Sequence, residues 1–168
     1  FKYCFLKPTE LDFHELKLEA SFRRLAKDLT SEPSECFLYR DFQARNVMLD
    51  AKGNPFFIDF QGGKAGPLQY DISSFLWQAS AKYGAELRKN IIKTYLEELQ
   101  HIAPEIAKGY SEQLPQFILF RQLQVLGAYG LRGLFEHKQH FLQSIPLALK
   151  NLRTLIENGT AKKYKHLN

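Results

Sequence analysis

A predominantly helical α+β fold is predicted by three features of this 168-residue sequence. Two short apolar runs, Val47-Met48-Leu49 and Pro55-Phe56-Phe57-Ile58, flank the turn-forming stretch Ala51-Lys52-Gly53-Asn54 and read as a β-hairpin. From Tyr70 onward apolar residues recur at helical rather than alternating spacing. A hydrophobic content of 45% with 14 phenylalanines supplies a core, and the charged fraction of 24% is that of an ordinary globular chain.

Each element has its own local reason. Residues 9–29 form a first helix: Leu11, Leu18, Phe22, Leu25 and Leu29 fall on one face, and Thr9 with Asp12 resembles a capping box. Pro33 stops any continuation. A short apolar run at residues 36–39 precedes a polar stretch at 40–46 and then the hairpin. Residues 62–67, with three glycines and a proline, read as a loop. Four helices follow, over 72–79, 85–102, 114–135 and 141–156, with Pro104 ending the second of them. The lysine-rich tail 161–168 is expected to be frayed and solvated. Gly127, Gly130 and Gly133 favour close packing or a kink over ligand binding, and Trp77 belongs in the core.

Composition excludes several classes of function. Lysine and arginine number 23 against 18 acidic residues, a net charge of +5 that suits an anionic small molecule. The basic residues are scattered rather than striped and no nucleic-acid motif accompanies them, so no nucleic-acid partner is expected. Cys4 and Cys36 form neither a disulfide framework nor a zinc pattern, which favours a reducing, cytoplasmic setting. No apolar run is long enough to span a bilayer, and no membrane partner is expected. His137 and His140 lack a third ligand and read as surface histidines. Gly62-Gly63-Lys64 does not satisfy the phosphate-loop pattern.

The hairpin gathers oxygen ligands. With Lys52 and Gly53 as a two-residue loop, Ala51 pairs with Asn54 and the count outward sets Asn46 opposite Asp59. An amide oxygen and a carboxylate then converge, a hard-oxygen pair suited to Mg²⁺ held with phosphates. Asp41, five residues before Asn46, faces the same space. A one-residue slip in register would turn Asp59 to the other face.

These residues carry a resemblance. Tyr39-Arg40-Asp41-Phe42-Gln43-Ala44-Arg45-Asn46 resembles the catalytic loop of kinase-fold phosphotransferases, and Asp59-Phe60-Gln61 sits where such enzymes carry Asp-Phe-Gly. Gln61 in place of glycine, with Gly66-Pro67 and Tyr70-Asp71-Ile72 beyond it, is similar to the aminoglycoside phosphotransferase and choline kinase group. Arg121-Gln122-Leu123-Gln124-Val125-Leu126-Gly127 and Pro146 resemble bacterial kinases that phosphorylate N-acetylmuramate and N-acetylglucosamine.

The resemblance implies a fold, an activity and a set of roles. Asp41 is implied as the catalytic residue acting on an acceptor hydroxyl, and Asn46 and Asp59 as Mg²⁺ ligands beneath ATP. Arg40 and Asp71 are implied as structural supports of the loop, with Asp71 accepting backbone N–H groups near Tyr39 and Arg40. Gln43 and Arg45 are candidates for a contact to substrate or phosphate, Arg45 alternatively a solvated charge. ATP and a small-molecule acceptor, a sugar or amino sugar, are the implied partners. The alternatives are a choline, aminoglycoside or homoserine kinase, or a non-catalytic module on the same scaffold. Neither a glycine-rich loop nor its partner lysine precedes Tyr39, and the chain opens on Phe1. Residues 1–168 are therefore expected to be a C-terminal lobe whose N-terminal nucleotide-binding β-lobe is absent from this chain, inactive alone, with exposed apolar groups on the surface beside residues 1–8.

Overall fold

The computed structural model describes residues 1–167. A π-helical turn (Lys2–Leu6) and a 3-10 turn (Lys7–Thr9) lead to helix α1 (Glu15–Leu29). Strand β1 (Cys36–Leu38), a 3-10 turn (Ala44–Asn46), and strands β2 (Val47–Leu49), β3 (Pro55–Phe57) and β4 (Lys64–Gly66) follow. Helices α2 (Gln69–Leu76), α3 (Ala85–Ile102), α4 (Pro104–Ala107), α5 (Tyr110–Tyr129) and α6 (Gln139–Glu157) complete the order, with a π-helical stretch Gly130–Phe135 after α5. Helices dominate and the strands form two antiparallel pairs, so the α+β class stands. The chain divides into two compact units, residues 32–114 and residues 1–31 with those from 115 on.

In the unit of residues 32–114, β1 pairs with β4 and β2 with β3. The β4 strand corrects the expected loop at 62–67: Cys36, Phe37 and Leu38 lie opposite Gly66, Ala65 and Lys64. Its Lys-Ala-Gly sequence carries no alternation. It pairs because Gly66 lets Leu38 lie across the strand, where an added Cβ would meet Leu38 Cδ2 at 2.8 Å. Ile72, Leu76, Ala79, Leu99, Tyr110 and Leu114 are buried. Trp77 is half-buried, with the Arg88 guanidinium 5.0 Å from its ring centre.

The hairpin register differs from expectation by one residue. Val47, Met48 and Leu49 oppose Phe57, Phe56 and Pro55. Asp50 N donates to Asn54 O at 3.0 Å, so the loop has three residues, Ala51 to Gly53. Asp50 makes this choice: its Oδ1 accepts from the backbone nitrogens of Lys52 and Asn54, each at 2.8 Å, and Gly53 takes the left-handed conformation at φ 84°. Asn46 therefore lies opposite Ile58, whose N donates to Asn46 O at 3.1 Å.

The unit containing the two ends of the chain is helical. The first helix is shorter than expected. Thr9 Oγ1 donates to Leu6 O at 2.8 Å, and the left-handed Glu10 closes the 3-10 turn there, so no capping box forms. The ring of His14 caps α1 instead, accepting from Lys17 N. Leu18, Ser21 and Leu25 face inward from α1 at helical spacing. Gly130 permits a close approach: a Cβ there would stand 1.9 Å from Cys4 O, and the regular α-helix gives way to π-helix at this residue. His137 and His140 are exposed on either side of the start of α6.

One expectation fails in this unit. Ala161, Tyr164 and Leu167 are buried, so the described part of the tail is packed rather than frayed. Tyr164 Oη donates to Asp28 Oδ2 at 2.8 Å and Lys163 Nζ lies 2.9 Å from the same oxygen. Asn168, the last residue of the expected tail, lies outside the described residues. At the other end Tyr3, Leu11 and Leu16 are exposed, while Phe5 is buried and stacks on Phe1 at 5.6 Å. The larger exposed apolar set lies in the other unit, on strand residues Phe37, Met48, Leu49, Phe56 and Phe57 and on Phe60 beyond β3. Both cysteines are free thiols. Among the described residues no helix is long and apolar enough to cross a membrane.

Candidate active site

The loop between β1 and β2 is held from behind by Asp71, near the start of α2. Its Oδ2 accepts from Tyr39 N at 2.6 Å and its Oδ1 from Arg40 N at 2.9 Å. Two backbone donors on consecutive residues match the two oxygens of one carboxylate, a charge-assisted arrangement roughly twice as strong as a neutral one. Arg40 sits at φ 72°, a left-handed conformation rare outside glycine, and its Nη1 donates to Gly62 O at 3.1 Å. The strained turn is thus pinned at both backbone and side chain.

Aromatic packing supports the same loop. Phe42 stacks on Phe75 of α2 at 4.8 Å and lies 5.4 Å from Tyr39 and 6.1 Å from Phe57 of β3. Phe75 stacks in turn on Tyr83 at 5.6 Å. These rings fix Phe42, and the neighbouring Asp41 is left on the solvent side. Gln78 Oε1 accepts from Ala44 N at 3.2 Å, a further tie to the loop.

Tyr39 links the loop to the segment after the hairpin. Its hydroxyl donates to Ile58 O, immediately before Asp59. Asp59 lies beyond the end of the ladder at φ 64°, so its direction comes from a left-handed turn rather than from strand register. Its Oδ1 accepts from Gln61 Nε2 at 2.7 Å. Partial burial, and then the negative charges of Asp59, Asp41 and Asp71, push the Tyr39 hydroxyl above its ordinary ionisation.

Asn46 is buried, and its Nδ2 donates to Asp41 O at 2.9 Å. That bond orients the amide and ties its position to the Asp41 backbone. The register places Asn46 opposite Ile58, not Asp59, which corrects the route by which the two residues were expected to meet. Asp41 is half-exposed: Gln43 Nε2 donates to its Oδ1, and Arg45 Nη2 lies 3.7 Å from its Oδ2. Among the described residues no three His, Cys, Asp or Glu side chains form a closed metal site. An amide plus a carboxylate with phosphates does not require one.

Phe42, Phe75, Tyr83 and Gln78 escaped the sequence reading. Phe42 stood inside the motif itself, but nothing in spacing tells which rings will meet across forty residues of chain.

Comparison with known proteins bears on the family of the chain. Residues 6–109 match the model of the phosphotransferase enzyme family, a span that includes the loop, the hairpin, Asp59 and Asp71. An N-acetylmuramate/N-acetylglucosamine kinase of Neisseria meningitidis is 28% identical over 148 residues, covering 86% of this chain and 44% of the relative. A Pseudomonas aeruginosa protein of the same name is 23% identical over 128 residues, covering 74% of this chain and 38% of the relative. The chain spans less than half the length of either curated relative. The family match covers more than half of the chain and contains the whole candidate site, and the chain belongs to the phosphotransferase enzyme family.

Proposed function

We propose that this chain is the acceptor-binding lobe of an ATP- and Mg²⁺-dependent kinase that phosphorylates a hydroxyl of a sugar or amino sugar. The observation that carries the reading is the bonded frame of the loop within the family-matched segment: Asp71 holds Tyr39 and Arg40, Tyr39 bonds Ile58 O beside Asp59, and Asn46 bonds Asp41 O. The names of the two relatives support the choice of acceptor. A cytoplasmic setting suits the two free thiols.

The positions of these residues support a set of roles. Asp71 holds the loop, Arg40 fixes its turn to Gly62, and Asp41 presents its carboxylate to solvent where a hydroxyl can approach. The acceptor oxygen forms a bond to the γ-phosphorus as the bond to the bridging oxygen of ADP breaks. Asp41 orients the hydroxyl and takes its proton. Asn46 and Asp59 supply the oxygens that would hold Mg²⁺, and their hard-oxygen chemistry fits that ion. When bound, the ion neutralises phosphate charge.

A nucleotide-binding β-lobe completes the enzyme in this reading. Two observations support it: the relatives are more than twice the matched length, and both strands of the hairpin leave apolar side chains uncovered. The test is phosphate transfer from ATP to N-acetylglucosamine, N-acetylmuramate, choline, an aminoglycoside and homoserine, with this chain alone and joined to such a lobe. Turnover of an amino sugar by the joined protein alone is expected. Turnover of choline or homoserine in preference would overturn the acceptor assignment, and no transfer to any acceptor would overturn the kinase reading.

A further inference from the structure

We propose that Arg45 selects an acceptor that carries a carboxylate over the otherwise similar neutral one, an inference that rests on the sugar-kinase reading above. Arg45 lies in the 3-10 turn Ala44–Asn46, and its side chain is 71% exposed. Its guanidinium stands 3.7 Å from Asp41 Oδ2, an ion-pair separation and not a hydrogen bond. The pair is open to water, so it adds little to the stability of the fold. Arg45 is thus a planar cation, weakly committed, beside the oxygen that must receive the acceptor hydroxyl.

The same carboxylate is engaged on its other oxygen. Gln43 Nε2 bonds to Asp41 Oδ1, so both oxygens of Asp41 face side chains of its own loop. Among the described residues no hydrogen bond is made to Oδ2, whose lone pairs are open to an acceptor hydroxyl approaching beside the guanidinium. The Gln43 contact is a close hydrogen bond and the Arg45 contact is longer, so Oδ2 is the oxygen more easily given up. A hydroxyl on Oδ2 leaves the guanidinium uncommitted and close to the acceptor. A neutral sugar leaves it to water. A sugar bearing a carboxylate offers it a planar, two-oxygen partner, the geometry that arginine matches best. The two acceptors in the names of the relatives differ in this respect: N-acetylmuramate carries a lactyl carboxylate and N-acetylglucosamine does not. The arm of Arg45 needs only to sweep from Asp41 to a substituent on the same sugar ring.

The test compares wild type, Arg45→Lys and Arg45→Ala in the protein joined to its nucleotide-binding lobe. kcat/KM is measured for N-acetylmuramate and for N-acetylglucosamine at saturating ATP, with the KM for ATP alongside. In Arg45→Ala the ratio of acid to neutral acceptor should fall about ten-fold, the worth of one charge-assisted contact near the surface. Arg45→Lys should fall between, because it keeps the charge and loses the fork. Added salt should lower the ratio in wild type and leave it flat in Arg45→Ala. An equal fall for both sugars would overturn the proposal and make Arg45 a support of Asp41. A raised KM for ATP at constant ratio would overturn it in favour of phosphate. Wild type that turns over neither sugar would remove the sugar-kinase reading and this inference with it, whereas wild type active on both with a ratio insensitive to Arg45 removes the inference alone.

Discussion

Asp71 and Asp28 each tie down a segment far away in sequence, and the two ties end differently. Asp71 accepts from the backbone of Tyr39 and Arg40, 32 and 31 residues earlier. Asp28 accepts from the side chain of Tyr164, 136 residues later, and pairs with Lys163. Around Asp28 the polar groups meet one another and the tail buries Ala161, Tyr164 and Leu167 beside them. Around Asp71 the segment held is strained, at Arg40 with φ 72°, and its outward groups, Asp41 and Arg45, remain exposed. One carboxylate closes a fold; the other holds open a set of reactive groups. Charge near a loop is not in itself a sign of a site. The sign is bonding that is spent on geometry and leaves chemistry unspent.

This difference orders the expected effects of substitution. The largest belongs to Asp41. In the enzyme completed by its nucleotide lobe, Asp41→Asn should lower kcat by about 10²–10⁴, the usual worth of a positioned acid–base group. Its melting temperature should stay near wild type, because the half-exposed carboxylate carries little of the fold. Asp71→Ala should lower both activity and stability, leaving two backbone donors unpaired at about 1–3 kcal/mol each. Calorimetry and steady-state kinetics on one preparation check both at once. If only one of the two falls, the link between loop geometry and fold is wrong.

Tyr164→Phe tests the opposite region. It removes a hydrogen bond to a carboxylate, worth about 1.5–3 kcal/mol, and should lower the melting temperature without altering the Mg²⁺ dependence of transfer. The smallest effect is a matter of pH. Burial pushes the Asp28 carboxyl up, but the bonds from Lys163 and Tyr164 and the charges of Lys163 and Arg24 outweigh it, and the net shift is downward from 3.8. A depressed carboxylate contributes stability that is present above its ordinary value and lost as pH falls through the folded one. The gap in melting temperature between wild type and Asp28→Asn, about 2–4 °C for each kcal/mol, should hold at neutral pH and close below 3.8. A gap that persists in acid would assign the tail to apolar packing alone.

The candidate segment was legible in the sequence because the proposed chemistry demands given residue types at given spacings. Asp41, Asn46 and Asp59 stood out from the hairpin count, whereas Asp71 stood out only through the family resemblance. The helices were readable from periodicity, with ends displaced where a local side chain intervened, as Thr9 and His14 do before α1. The register of the hairpin was not readable, because the loop length depends on how the Asp50 carboxylate bonds. Strand β4 has no pattern to read; only its partner makes it a strand. The tail misled for the same reason. Its lysines speak for solvent, and the groups that bury Tyr164 and Leu167 lie at the opposite end of the sequence.

The division of labour between Asp41 and Asp59 is tested most directly by a Mg²⁺ titration of phosphate transfer in Asp41→Asn and Asp59→Asn, each in the enzyme with its nucleotide lobe. Asp59→Asn replaces a charged hard-oxygen ligand by a neutral one, so its activity should recover in part as Mg²⁺ rises. Asp41→Asn, whose carboxylate acts on the acceptor hydroxyl, should show no recovery at any Mg²⁺ concentration. Recovery of both variants, or of neither, would contradict the assignment.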